Sequence, residues 1–241
     1  MKVSYRKYDV EDSVARIDEI LTTSDTSFEE LKSIPSRDRL TFNNGFYVWC
    51  SALFIDIRAS SKLPDNYRRP SLARIYRSYI SEMVAVMSDN PNCSEVTIAG
   101  DAVWGVFDTP QKVQIDSVFS TAAQLASQTK ILNCRYKKKK NYEPISTGIG
   151  MDYGRALMLK AGYKGSSINE VVWMGDVVNG ASNLCGFGNK SWNDRHQMVS
   201  DIFYQNLNDH NQSLLERNHT RACYHGNVVD TEMEEWWKEN C

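Results

Sequence analysis

From Phe46 to Ile55 the chain runs through ten residues, FYVWCSALFI, that are aromatic or apolar apart from Ser51, and then meets an acid, Asp56. A run of this kind, bounded by turn residues, is expected to fold as a buried strand; it is about half the length of a membrane span. Side chains alternate along a strand, so Phe54 and Asp56 share one face and Ile55 takes the other. A carboxylate at the end of a buried strand is costly unless its charge is compensated. Taken alone, Asp56 also suits the cap of a following helix, because Asp is a favoured N-cap residue.

A second acid stands in a comparable setting. The apolar runs Glu95 to Ala99 and Ala102 to Phe107 are joined only by Gly100-Asp101, which reads as a tight hairpin with Asp101 at its tip. Gly-Asp is common turn chemistry, so Asp101 alone also has an ordinary explanation. Facing one another across neighbouring strands, the two carboxylates suit hard cations such as Mg²⁺ or Mn²⁺, which prefer oxygen ligands. After Asp56 come Ile57-Arg58-Ala59-Ser60-Ser61-Lys62-Leu63, with small and hydroxylic residues at the strand exit, where free N–H groups and hydroxyls hold phosphate oxygens. Two such ions on a triphosphate lower the pKa of an attacking hydroxyl and neutralise the leaving pyrophosphate.

Around these acids the pattern mixes helices with hairpins. Val10, Val14, Ile17, Ile20 and Leu21 recur at helical spacing, and a short helix is expected from Ser27 to Ile34, before Pro35. Asp38 to Gly45 is polar and ends in the turn signal Asn43-Asn44-Gly45. Residues 1–45 are therefore read as an N-terminal helical appendage and residues 46–241 as the catalytic domain. Further helices are expected from Arg68 to about Met87, from Val113 to Thr129 and from about Val177 to Phe187. Strands are expected at Ile145–Met151, Glu170–Met174, Gln197–Val199 and Ala222–Val228, ahead of an acidic, Trp-rich segment from Glu232 to Lys238. The fold class is α+β, a sandwich with a largely antiparallel sheet flanked by helices.

A net charge of −2 gives no electrostatic reason to expect a nucleic-acid or acidic-membrane partner. The one basic cluster, Lys137 to Lys140, is short and reads as a solvated loop. Cys50, Cys93, Cys134, Cys185, Cys223 and Cys241 contain no CxxC pair, which matches neither zinc-ligand spacing nor a disulfide framework. The first residues hold no apolar stretch that would serve as a signal sequence, so a reduced, cytoplasmic protein is expected.

Four segments carry a family resemblance: FIDIRASSKL (54–63), TIAGDAVWGVF (97–107), STGIGMDYGRAL (146–157) and VVWMGDVVNGASNL (171–184). In this order they resemble the successive motifs of class III nucleotidyl cyclases, over about Phe46 to Leu184. The resemblance implies that Asp56 and Asp101 are the metal-binding pair, with Ile57 a ligand through its carbonyl oxygen, for two divalent cations, Mn²⁺ or Mg²⁺. It implies that Phe54 and Ser61 contact the nucleotide and its phosphates, and that Asn179 orients the ribose in the transition state. It also implies a nucleoside triphosphate substrate and a homodimer with active sites at the interface.

The chain departs from the family pattern where the base is read. Purine cyclases of the class place polar residues at the positions of Thr97 and Val172; a lysine and an aspartate there would fit an adenylate cyclase. Asn183 stands where many relatives carry a transition-state arginine, and an amide does not replace a guanidinium charge. Arg155, Lys160, Lys164 and Lys190 remain open as substitutes. Large side chains near the pocket (Phe46, Tyr47, Trp49, Phe54, Trp104, Trp173) would favour a smaller base. With the late segment CYHGNVVDTEMEEWW (223–237), this layout resembles the bacterial Pycsar antiphage cyclases, which make cyclic UMP or cyclic CMP for a separate cyclic-nucleotide-binding effector protein. The resemblance therefore implies conversion of UTP to cyclic 3′,5′-UMP and pyrophosphate, a second messenger in antiphage defence. The alternatives are a cytidylate cyclase, a purine cyclase and an inactive cyclase-homology binding module. No acid stands at position 97 or 172 to accept from a cytosine amine, which tilts the reading toward UTP.

Overall fold

Strand β2 (Gly45–Ile57) organises the molecule, because its side chains are buried on both faces. The computed structural model describes residues 5, 7–164 and 169–241, so the opening residues read for a leader lie partly outside it. The chain begins with α1 (Val10–Leu21) and β1 (Phe28–Leu31), then β2, α2 (Leu63–Asn66), α3 (Arg69–Asp89), β3 (Cys93–Ala99), β4 (Ala102–Asp108) and α4 (Lys112–Lys140). It continues with β5 (Thr147–Gly162), β6 (Asn169–Met174), α5 (Asp176–Phe187), β7 (Gln197–Val199), α6 (Asp201–Asn206) and α7 (Asp209–Ser213), and closes with β8 (Glu216–Asn218), β9 (Cys223–Gly226) and α8 (Thr231–Asn240).

One sheet runs β3-β4-β2-β5-β7-β9-β8, with β1 beside β2 and β6 beside β5. Pairing is antiparallel throughout except for β1 with β2 and β5 with β7. The sheet is thus largely antiparallel, as expected. Alternation along β2 divides the core in two. Leu53, Ile55 and Ile57 pack with Ile75, Tyr79, Met83 and Phe119 from α3 and α4. Phe46, Val48, Cys50, Ala52 and Phe54 pack on the other side, with Val177, Ala181 and Cys185 from α5.

Three expectations are corrected. The helix foreseen from Ser27 to Ile34 is strand β1, parallel to the start of β2. Its Glu-Glu-Leu stretch has good helix formers, but tertiary contacts override that preference: Phe28 lies directly over Gly45, and Glu30 receives a two-pronged ion pair from Arg155 at 3.2 and 2.8 Å. The basic cluster Lys137 to Lys140 is exposed, but it forms the last turn of α4, where cations favour the negative end of the helix dipole. The six cysteines are not all free: Cys134 on α4 is bonded to Cys241. The same helix holds α8 through Lys130, which pairs with Glu234 and stands over the Trp237 ring, and through Lys138 Nζ, which donates to the Asn240 carbonyl at 2.7 Å.

Candidate active site

The acid pair is assembled by strand pairing. β2 is flanked by β4 on one edge, with Ile55 opposite Val103, and by β5 on the other, with Asp56 opposite Gly148. The β3–β4 hairpin turns at Gly100, which takes φ +66°, and so carries Asp101 to the end of β2. Asp101 comes within hydrogen-bonding reach of the Asp56 side chain. Burial pushes the Asp56 carboxyl up to about 6, and the hydrogen bond and charge of Asp101 add to this. Arg58 pulls the other way: one of its Nη atoms meets Asp56 Oδ2 at 3.0 Å.

Three buried side-chain polar atoms among the described residues have no hydrogen-bond partner: Asp101 Oδ2, Arg58 Nε and the Tyr79 hydroxyl. Asp101 and Arg58 sit at the acid pair, and the charges of Asp56 and Asp101 push the Tyr79 hydroxyl further up, after burial and Cys185. An orphaned carboxylate oxygen beside a second carboxylate is a donor set that a hard cation satisfies, so the residues present fit a divalent metal. Among the described residues no group of three or more His, Cys, Asp and Glu side chains is arranged to hold a metal ion. Two carboxylates are nevertheless enough for Mg²⁺-type ions that complete their shell with backbone oxygen, water and substrate phosphates. Ile57 is buried in β2, and Ser61 is exposed in the turn of residues 60–62 that follows.

Helix α5 lies on bare β5 backbone. A Cβ at Gly150 would stand 2.1 Å from Cys185 N and 2.2 Å from the Ala181 carbonyl, and one at Gly148 would stand 2.5 Å from the Cys185 carbonyl. The buried side of α5 is Val177, Ala181, Leu184 and Cys185, which leaves Asn179 and Asn183 exposed on the other side. Arg58 ties the end of this helix to the acid pair, because its second Nη donates to the Gly186 carbonyl at 3.1 Å. Of the cations left open for the missing arginine, Arg155 is held by Glu30, Lys164 by Glu19, and Lys160 stands over Phe42. Lys190, over Phe187 at 5.9 Å, is at the end of α5.

The α5 side of the sheet continues into an aromatic surface. Thr97, Trp104 and Phe54 fall in one row across β3, β4 and β2. The Trp104 and Phe54 rings stack in parallel, 4.9 Å apart. Two residues before Thr97 on the same face, Glu95 is buried and accepts from Trp173 Nε1 at 2.9 Å and from Arg37 Nε at 2.7 Å. Trp173 is buried, whereas Val172, its neighbour on the opposite face of β6, is 37 % exposed. Tyr47 and Trp49 lie on the face of β2 away from Phe54, so only Phe46, Phe54, Trp104 and Trp173 of the six large residues share the α5 side.

Comparison with known proteins joins this geometry to a family. No protein-family model matches the chain. It is 39 % identical, over the full length of both chains, to a uridylate cyclase of Gulbenkiania mobilis. The chain belongs to the uridylate cyclase family. A second uridylate cyclase, from Treponema porcinum, is 40 % identical over 87 % of this chain and 72 % of its own. Among solved structures, the adenylyl cyclase CyaB from P. aeruginosa superposes with a TM-score of 0.61 at 17 % identity, over 72 % of this chain and 85 % of the other. The fold is thus that of class III cyclases, and the uridylate cyclase family makes this chain a nucleotidyl cyclase. Among the described residues no helix is long and apolar enough to cross a membrane.

Sequence reasoning gave no role to Arg58, Glu95, Arg37 or Tyr79. Glu95 carried a legible signal, an acid at the start of an apolar hairpin strand. Arg37 meets Glu95 58 residues away and Arg58 meets the Gly186 carbonyl 128 residues away, contacts that nothing local announces. The Arg58 pairing with Asp56 spans only two residues, and the Tyr79 hydroxyl has no hydrogen-bond partner.

Proposed function

We propose that this chain closes UTP into cyclic 3′,5′-UMP and releases pyrophosphate. The observation that carries this reading is the paired carboxylates of Asp56 and Asp101, with an orphaned oxygen, in a chain 39 % identical throughout to a uridylate cyclase. The ribose 3′ oxygen bonds to the α-phosphorus as the bond to the bridging oxygen breaks. Pyrophosphate takes the electron pair and the hydroxyl proton passes to solvent. Two divalent cations, Mn²⁺ or Mg²⁺, held by Asp56, Asp101 and the Ile57 carbonyl, supply charge neutralisation and a more acidic hydroxyl when bound. Ser61 steadies the phosphates, and the apolar wall of Phe54 keeps water from the sugar.

Asn179 serves the second subunit. It is exposed on the outer side of α5, away from its own acid pair's strand, as a residue completing a partner's site should be. The active species is a homodimer with both sites at the interface. Thr97 reads the base edge, and Val172 lines the exposed side of β6. UTP is favoured over CTP because Glu95, two residues from Thr97 on the same face, has both oxygens engaged by Arg37 and Trp173, leaving none free for a cytosine amine. The product is a cytoplasmic alarm, read by a separate cyclic-nucleotide-binding effector in antiphage defence.

The deciding experiment incubates the protein with each of the four triphosphates and Mn²⁺ and identifies products by mass. Cyclic UMP in excess is the expected result. Cyclic CMP in large excess overturns the choice of UTP, cyclic AMP overturns the pyrimidine reading, and no product from any triphosphate leaves a binding module.

A further inference from the structure

β3 carries Thr97, and β6 carries Val172. Neither residue supplies a charged reader for a base. The residues beside them do something else: Glu95 and Trp173 reach toward each other and close at 2.9 Å between the two strands. Both side chains are buried. A buried carboxylate needs charge-assisted partners, and Glu95 has two, the indole N–H and the Arg37 guanidinium. An apolar pair would pack the same space without a desolvated charge to stabilise, so packing alone gives no reason for an acid here. The bridge lies on the same face of β3 as Thr97, on the side of the stacked Phe54 and Trp104 rings.

We propose that the Glu95–Trp173 bridge is the specificity-determining element of the base pocket: it fills the depth that the second ring of a purine would need. The inference rests on the pyrimidine reading above and gives that reading a physical cause. Thr97 and Val172 then need no charge, because exclusion is steric. Arg37, from the segment before β2, is a positioning residue. It takes Glu95 Oε1 and thereby aims Oε2 at the indole.

The test compares wild type with Trp173→Leu, Glu95→Ala and Glu95→Gln. Two quantities are read: the ratio of cyclic AMP to cyclic UMP formed from equal ATP and UTP, and the displacement of a fluorescent UTP analogue by ATP in Ca²⁺, without turnover. Trp173→Leu and Glu95→Ala are expected to raise the purine-to-pyrimidine ratio at least about tenfold in both assays. Glu95→Gln keeps an acceptor for the indole, and its ratio stays near that of wild type. A folded Trp173→Leu protein with an unchanged ratio overturns the inference while leaving UTP specificity standing. Where that variant does not fold, Glu95→Ala decides by the same ratio. Wild type that binds ATP as well as UTP overturns the pyrimidine reading itself, and the inference with it.

Discussion

Arg58 holds Asp56 Oδ2 at 3.0 Å with one terminal nitrogen and the Gly186 carbonyl at 3.1 Å with the other. Among the described residues, this guanidinium supplies the only counter-charge paired with the acid pair, and it fastens the pair to the last turn of α5. In metal-free protein, Arg58→Gln leaves two neighbouring carboxylates uncompensated, and the expected loss is about 1–2 kcal/mol, because Asp56 is partly solvated. Saturating Mn²⁺ should shrink that loss by replacing the missing charge. Urea unfolding in EDTA and in Mn²⁺ measures both, and an equal loss under the two conditions would refute the counter-charge role.

Asp101 separates stability from activity. Its Oδ2 has no partner to lose, and its charge opposes that of Asp56. Asp101→Asn should abolish turnover while the metal-free protein unfolds at the same temperature as wild type or higher. A clear drop in melting temperature in EDTA would show instead that the carboxylate is a structural element.

The proposed sharing of each site between two subunits makes a prediction about mixtures. Asp56→Ala and Asn179→Ala chains, each inactive, should regain part of the wild-type rate when combined, since one site of each heterodimer then has both residues. Labelled subunits establish that exchange has occurred. With exchange proven and no activity recovered, Asn179 acts within its own chain or not at all.

A fourth prediction concerns acid stability. Asp194 accepts from Arg221 at 2.9 and 3.2 Å, from Ser191 at 2.6 Å and from Asn218 at 3.3 Å. These bonds, Arg221 foremost, hold its carboxyl down at about 2. A lowered carboxyl pKa stabilises the fold above the unfolded value near 4, and that contribution, about 2 kcal/mol, disappears as pH falls from 4 toward 2. Asp194→Asn should be less stable than wild type at pH 6 and show no such slope below pH 4. Identical pH profiles for the two proteins would remove Asp194 as the cause.

Much of the fold was legible because its signals are local. The hairpin at Gly100-Asp101 and the alternation of Phe54, Ile55 and Asp56 follow from a few adjacent residues, and the structure pairs them in that register. What escaped depends on distant partners. Phe28 to Leu31 carry a helix-forming composition and become a strand only because β2 offers an edge. Cys134 and Cys241 stand 107 residues apart and meet only when α8 docks on α4. Arg58 was read within a phosphate-binding exit, yet its partners are Asp56 and the end of α5, the latter fixed by the packing of helix on sheet.

Gly150 on β5 and Gly186 on α5 stand under opposite constraints. At Gly150 any side chain collides with Ala181 and Cys185 backbone, which has no rotamer to change, so even alanine displaces α5 and the Asn179 it carries. At Gly186, in the last turn of α5, an added Cβ meets nothing within 4 Å, and alanine there leaves in place the carbonyl that Arg58 uses. Under neutral drift, position 186 is free to wander and position 150 is frozen. A random-mutagenesis library selected for cyclase activity should therefore return alanine at 186 many times and glycine at 150 every time.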